Sequence, residues 1–318
     1  MSRRLSCWWS AAAIPAVLAA ALAVAAGSAA ASSEPRSSVQ SRPAEAISNG
    51  AVPSSAAANS GRASRRWLNG VALPSVGKDL PVWQRKTAEQ PSIISFYINL
   101  AAPFPLKQLT TIIAAGALPL IQIDPKGDSL AALDAGRYNK QLIADRRGIA
   151  SLHHRVAVSF AHEMNGVWTG WGCDHVTPST FRSAWRHVHR IIGTQHVTWI
   201  WEPGQSGRCA VTSWYPGSRY VSWIGIDGYL RTPRAAFGRE FDATIKAARH
   251  LGPGKPIVLA EAACNVSASM VTELRELYSG ARRSGMIGLV WFDGKTALGN
   301  YHPWASEAFL RAFKRIVR

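Results

Sequence analysis

Val156-Ala-Val-Ser-Phe-Ala-His-Glu-Met-Asn-Gly-Val-Trp-Thr-Gly-Trp-Gly172 is the stretch from which the rest of the chain is read. Its first five residues, Val156 to Phe160, have the length and β-branching of a buried strand. The chain then turns polar within three residues, at His162, Glu163 and Asn165, and two tryptophans follow, Trp168 and Trp171. A buried strand that delivers an acid, an imidazole and flat rings at its C-terminal end is built like one strand of a parallel α/β barrel.

Working outward, the runs on either side repeat the alternation of strand and helix that marks a parallel sheet with crossover helices. Strands are expected over 70–74, 92–98 and 118–124 before the quoted stretch, and over 196–202, 220–229, 257–261 and 287–293 after it. Helices are expected over 106–115, 129–153 (with a loop insertion), 177–192, 240–250, 269–284 and 303–318. Eight strands in roughly 250 residues, with no solenoid-type repeat, predict a (β/α)8 barrel over 67–318.

The first 66 residues read differently. Arg3 and Arg4 precede an Ala-rich apolar run, and small residues follow up to Ala31, the pattern of a secretory signal over 1–31. Left uncleaved, the same run would anchor the chain to a membrane. Residues 32–66 are Ser, Ala, Pro and Arg with almost no large apolar side chain, the composition of a disordered linker. A secreted or extracytoplasmic location is therefore expected. Without Cys7, the exported part holds Cys173, Cys209 and Cys264. Cys173 and Cys209 fall in consecutive strand-end loops and are the expected disulfide, leaving Cys264 free.

The net charge of +17 falls to +12 over 67–318, where 29 basic residues face 17 acidic ones. That balance favours anionic surroundings such as an envelope or an acidic polymer. The basic residues read as scattered along helices, outside any nucleic-acid-binding motif, so nucleic acid is not the expected partner. His162-Glu163 begins like the zinc motif His-Glu-x-x-His, but Gly166 stands where the second ligand would be, so no metal and no cofactor are expected. Neither a nucleophile elbow nor a phosphate-cradling glycine loop is present.

In such barrels the working residues sit at strand C-termini. Those ends carry Asp124, Glu163, Glu202, Asp227, Tyr229, Glu261 and Asp293. Any one glutamate there is as well explained by a structural ion pair. Two of them, Glu163 and Glu261, each directly follow an apolar run, and two carboxyls across one mouth suit glycoside hydrolysis. One protonates the leaving oxygen while the other attacks the anomeric carbon, with the carboxyls about 5–5.5 Å apart in the retaining form. Trp168, Trp171, Trp201 and Trp291 fall at or beyond strand ends, where indole faces suit the C–H faces of sugars. Trp185, Trp199 and Trp304 read as packing residues.

The segments His162-Glu-Met-Asn-Gly-Val-Trp-Thr-Gly-Trp171, Trp199-Ile-Trp-Glu-Pro203, Tyr215-Pro-Gly217, Ile224-Gly-Ile-Asp-Gly-Tyr229 and Lys255-Pro-Ile-Val-Leu-Ala-Glu261 resemble glycoside hydrolase family 26, the family of many β-mannanases. The resemblance implies a (β/α)8 fold, an acid/base at Glu163 and a nucleophile at Glu261. It also implies a sugar contact from His162 and a hydrogen bond from Tyr229 to the nucleophile. Trp168 and Trp171 would line the cleft, with Trp291 beneath the sugar at the cleavage point. The implied function is a retaining endo-β-glycanase, monomeric, acting on a polysaccharide. Mannan is the first expectation, because the family also holds β-1,3-xylanases and mixed-linkage β-glucanases. Two positions depart from the family pattern: Ser159 stands where Arg is usual, and Glu202-Pro-Gly204 replaces Ser-Pro-Asn. These departures leave open a non-catalytic glycan-binding protein on the same scaffold, and the basic surface hints at an envelope-polysaccharide hydrolase.

Overall fold

A computed structural model describes residues 66–127 and 129–317. The expected signal and, save Arg66, the expected linker lie outside the described residues. Eight strands form one closed parallel barrel in chain order: β1 (Leu68–Ala72), β2 (Ile93–Asn99), β3 (Leu118–Asp124), β4 (Val156–Phe160), β5 (Val197–Trp201), β6 (Trp223–Leu230), β7 (Ile257–Cys264) and β8 (Gly288–Phe292). β8 pairs back onto β1 in parallel and closes the ring. Around it run α1 (Val76–Thr87), α2 (Leu106–Ala114), α3 (Leu130–Asp134), α4 (Asn139–Ser151), α5 (Pro178–Ile192), α6 (Phe237–Leu251), α7 (Val271–Arg283) and α8 (Glu307–Ile316). The fold is a (β/α)8 barrel. Among the described residues no helix is long and apolar enough to cross a membrane.

Successive side chains on a strand point to opposite faces, so each strand divides its residues between two cores. Inward residues, among them Ile93, Leu120, Ala157, Ile200, Val258, Ala260 and Val290, fill the lower barrel. Outward residues, including Ile94, Ile121, Val158, Trp199, Trp201, Ile226, Leu259 and Trp291, pack beneath the helices in a larger second core. Above the inner apolar layer the inward positions become polar and stay buried: Ser95, Gln122, Ser159, Glu202 and Asp227.

Three features of the strands and their connections matter. Helix α1 was not expected; it contains Pro81 and starts where Asp79 accepts a hydrogen bond from the Ser75 amide (2.8 Å). Strand β7 does not stop at Glu261 but runs on to Cys264, through a register shift. Leu259 lies opposite Ile226, whereas the next pair on β6 is Asp227 opposite Glu261, so Ala260 is an extra residue. A bulge of this kind re-aims the side chains that follow it. Without it Glu261 would share the outward face of Leu259; with it, Glu261 faces the mouth. Finally, β5 and β6 are joined without an α-helix, by two single 3₁₀ turns, Val211–Trp214 and Ser218–Tyr220.

Candidate active site

The end of β4 sets one side of the mouth. Ala161 and Glu163 both take left-handed backbone (φ 52° and 53°), a conformation that non-glycine residues rarely adopt outside constrained sites. The turn is held by a hydrogen bond from the Glu163 amide to the Glu202 carbonyl (2.8 Å). Asn165, fully buried, accepts from the Gly204 amide (2.8 Å) and donates to the Gly204 and Ser206 carbonyls. It thus locks the loop after β5 under the loop after β4. A disulfide between Cys173 and Cys209 ties the same two loops, and Cys264 is free and buried. Among the described residues the one cluster close enough to hold a metal ion is Cys173, Asp174 and Cys209, whose two sulfurs are joined in that disulfide.

Glu163 and Glu261 line the same two cavities. One, of about 450 Å³, is walled by Tyr97, Asp124, His162, Trp171 and Phe292. The other, of about 370 Å³, is walled by Ser206, Tyr229, Arg231 and Tyr301. Trp168 borders both. The carboxyl pair therefore divides one elongated opening into two halves.

Each oxygen of Glu261 accepts a hydrogen bond from a phenol, Oε2 from Tyr97 and Oε1 from Tyr229. Burial, and then the negative charge of Glu261, push both phenols well above their ordinary range, so they remain donors. Both oxygens of Glu261 are thus taken by phenol donors. Glu163 is placed differently. Burial raises its pKa; His162 and the Trp168 indole N–H, which donates to Oε2 (2.5 Å), pull it down; Glu261 raises it again. The net direction is upward, toward the protonated acid.

His162 stands between the rings of Tyr97 and Trp171 and pairs through Nδ1 with Asp124 (3.1 Å). Burial alone would lower its pKa, but Asp124, Glu163 and Glu261 outweigh it and raise the imidazole to about 10. It is a cation at neutral pH. Below these groups lie Glu202 and Asp227, both buried, and burial raises each of them. Gly225 makes room for them: a Cβ there would come within 2.9 Å of Glu202 Cγ.

Of the residues singled out from sequence, Glu163, Glu261, His162, Trp168, Trp171 and Tyr229 meet at this mouth. Trp168 is the most exposed, lying across Gly166, while Trp171 is a buried wall that donates to the His162 carbonyl (2.7 Å). Trp201 and Trp291 do not belong to it. Both are fully buried on the outward faces of β5 and β8. Trp201 packs edge-on against Tyr215, and Trp291 packs against Phe309 and Phe313. The ring that β8 offers the mouth is Phe292, one residue further on. Tyr97 and Phe292 escaped the sequence reading. The signal that would have found them is strand parity: 93, 95 and 97 share one face of β2, and 290 and 292 one face of β8.

Two carboxyl groups, an imidazole and aromatic walls thus meet at the C-terminal mouth of a parallel barrel. Residues 128–278 match the model of glycosyl hydrolase family 26. Over those residues the chain is similar to that family. A mannan endo-1,4-beta-mannosidase from Bacillus subtilis is 30% identical over 110 residues, covering 31% of this chain and 28% of the relative. Endoglucanase H from Acetivibrio thermocellus is 30% identical over 149 residues, covering 41% and 17%. A beta-1,3-xylanase from an Alcaligenes species is 25% identical over 134 residues, covering 40% and 26%. The matches thus span less than a third of these relatives' lengths. Among solved structures, a β-mannanase from Bacteroides ovatus superposes with a TM-score of 0.64 at 17% identity, covering 80% of this chain and 89% of that one. A modular endo-β-1,4-mannanase from Cellulomonas fimi gives 0.60 at 18% identity, covering 79% and 70%. At such identities these likenesses speak for the fold alone.

Proposed function

We propose that this protein is a retaining endo-β-glycanase, with mannan its first candidate substrate. The observation that carries the reading is the asymmetry of the two glutamates: Glu261 holds a phenol donor on each oxygen, and Glu163 is biased toward its acid form beside it. Glu261 attacks the anomeric carbon as the glycosidic C–O bond breaks, and the Glu163 proton passes to the leaving oxygen. Water, deprotonated by Glu163, then displaces Glu261 from the anomeric carbon and restores both groups. The His162 cation supports binding of sugar hydroxyls, and Trp168 and Phe292 offer ring faces on the two sides. The names of the sequence relatives favour mannan, with glucan and β-1,3-xylan behind it. The Cys173–Cys209 disulfide supports export to an oxidising compartment.

Incubation with mannan, mixed-linkage glucan and xylan, with reducing ends counted, tests the activity. Glu261→Ala should abolish release. Glu163→Gln should slow it by about 10²–10⁴-fold, the usual worth of a general acid. Because Glu163 must be protonated and its pKa is raised, kcat/KM should hold above the ordinary carboxylate range and fall as pH rises through that raised value. Binding of glycan with no hydrolysis in the unaltered protein would replace this reading with that of a carbohydrate-binding barrel.

A further inference from the structure

The crossover from β5 to β6 has only 3₁₀ turns where the other six connections have α-helices, so one flank of α5 faces a 3₁₀ turn instead of an α-helix. That flank borders a groove of about 520 Å³, lined by Ser179, Arg182, Ser183, Arg186, Arg190 and Tyr220. Read along the sequence, the basic residues looked scattered; the helix lines three of them up. Arg182, Arg186 and Arg190 recur every fourth position, about 6 Å apart along the axis. Like charges at this spacing repel and cost the helix stability. No carboxylate lines the groove, and Asp134, which Ser183 contacts, also pairs with His187.

The guanidiniums are also held in place. Arg182 donates through Nη1 to the Ser213 carbonyl, and Arg186 through Nε to the Pro216 carbonyl (2.7 Å). Each keeps further N–H groups for another partner, since a guanidinium has five. The Arg186 guanidinium also lies over the Tyr220 ring, 5.3 Å from its centroid. Arg219 stacks on the same ring at 4.8 Å, so the ring serves to hold guanidiniums, and a pre-positioned row of forks matches a polymer that bears carboxylates at regular intervals.

We propose that this groove is a second binding site, on the outer wall of the barrel, for an acidic polysaccharide. It rests on the glycanase reading only for the choice of a glycan over other polyanions. A nucleic acid fits less well, because one ring offers no succession of stacking platforms.

Titration calorimetry with a galacturonate decamer tests it, using the whole protein at low salt. The expected result is measurable binding that weakens at least tenfold in Arg182→Gln/Arg186→Gln/Arg190→Gln. A control with the same charge removed from exposed positions elsewhere, Arg85→Gln/Lys86→Gln/Lys107→Gln, should change affinity less than threefold. Should the first triple variant fail to fold, Arg182→Gln/Arg190→Gln leaves Arg186 and its carbonyl contact intact and should still lose several-fold. Hydrolysis at the mouth is unchanged in every variant if the glycanase reading is right, and its absence would leave the binding result standing. No binding by the parent, an equal loss in the control, or equal affinity for a single-stranded DNA decamer with the same loss would each overturn the proposal.

Discussion

Tyr97 approaches Glu261 from β2, on the side of the barrel away from Tyr229, and its hydroxyl caps the oxygen that Tyr229 does not reach. A hydrogen bond to a charged group is worth about 1.5–3 kcal/mol, so Tyr97→Phe should lower kcat by roughly 10- to 100-fold. Reducing-sugar kinetics on the best substrate would check this; an unchanged kcat would mean the contact is idle. This residue and Phe292 mark what sequence left unread at this scale. Glu163 and Glu261 were legible only as a pair, because either one alone reads equally well as a structural ion pair. An aromatic within a strand is ambiguous, because one position of slippage moves a ring from the mouth to the helix layer. That slip is the difference between Trp291, packed on Phe313, and Phe292, facing the mouth.

Among elements, β7 and the loop after β5 do most to assemble the site. The strand's identity was plain from Ile257 to Ala260, but its bulge was not, since no glycine or proline announces it. The loop after β5 has little regular structure of its own and is secured from outside, by Asn165 and by the disulfide from Cys209 to Cys173. A link closing 36 residues of chain removes about 3–4 kcal/mol of unfolded-state entropy. Cys173→Ser/Cys209→Ser should lose about that much, read as a lower denaturant midpoint, and should raise KM more than it lowers kcat. An unaltered midpoint would show that Asn165 alone holds the loop. The pairing could be read from the order of the strand ends, whereas the role of Asn165 required coordinates, because its partners lie about forty positions away.

At the scale of the molecule, the barrel stacks an apolar layer, a buried polar layer and a charged mouth inside one ring of strands. The polar layer has a consequence for stability. Glu202 and Asp227 are buried with raised pKa values, so the folded chain binds protons that the unfolded chain releases. Their share of stability is therefore present below the ordinary carboxylate values, 4.5 and 3.8, and is lost as pH rises through the raised ones. His162 acts in the same direction: its contribution is complete below 6.5 and is lost as pH climbs toward about 10. The domain should be most stable in mild acid. Glu202→Gln should flatten this trend, losing less stability than the parent between pH 5 and pH 8. Urea unfolding at the two pH values checks it; an equal loss in parent and variant would place the titration elsewhere. The (β/α)8 architecture was visible in the alternation of strand and helix. The helix-free crossover was visible only as a stretch without pattern, and the row of arginines beside it emerged once α5 set every fourth residue on one face.

If Glu261 attacks the anomeric carbon as proposed, it becomes covalently bonded to sugar. A 2-deoxy-2-fluoroglycosyl fluoride of the preferred sugar slows the second displacement and traps that bond, and peptide mass mapping then locates it. One label is expected, on the peptide containing Glu261, and it should form more slowly in Tyr97→Phe. A label on any other residue, or hydrolysis that inverts the anomeric centre and leaves no label, would contradict it.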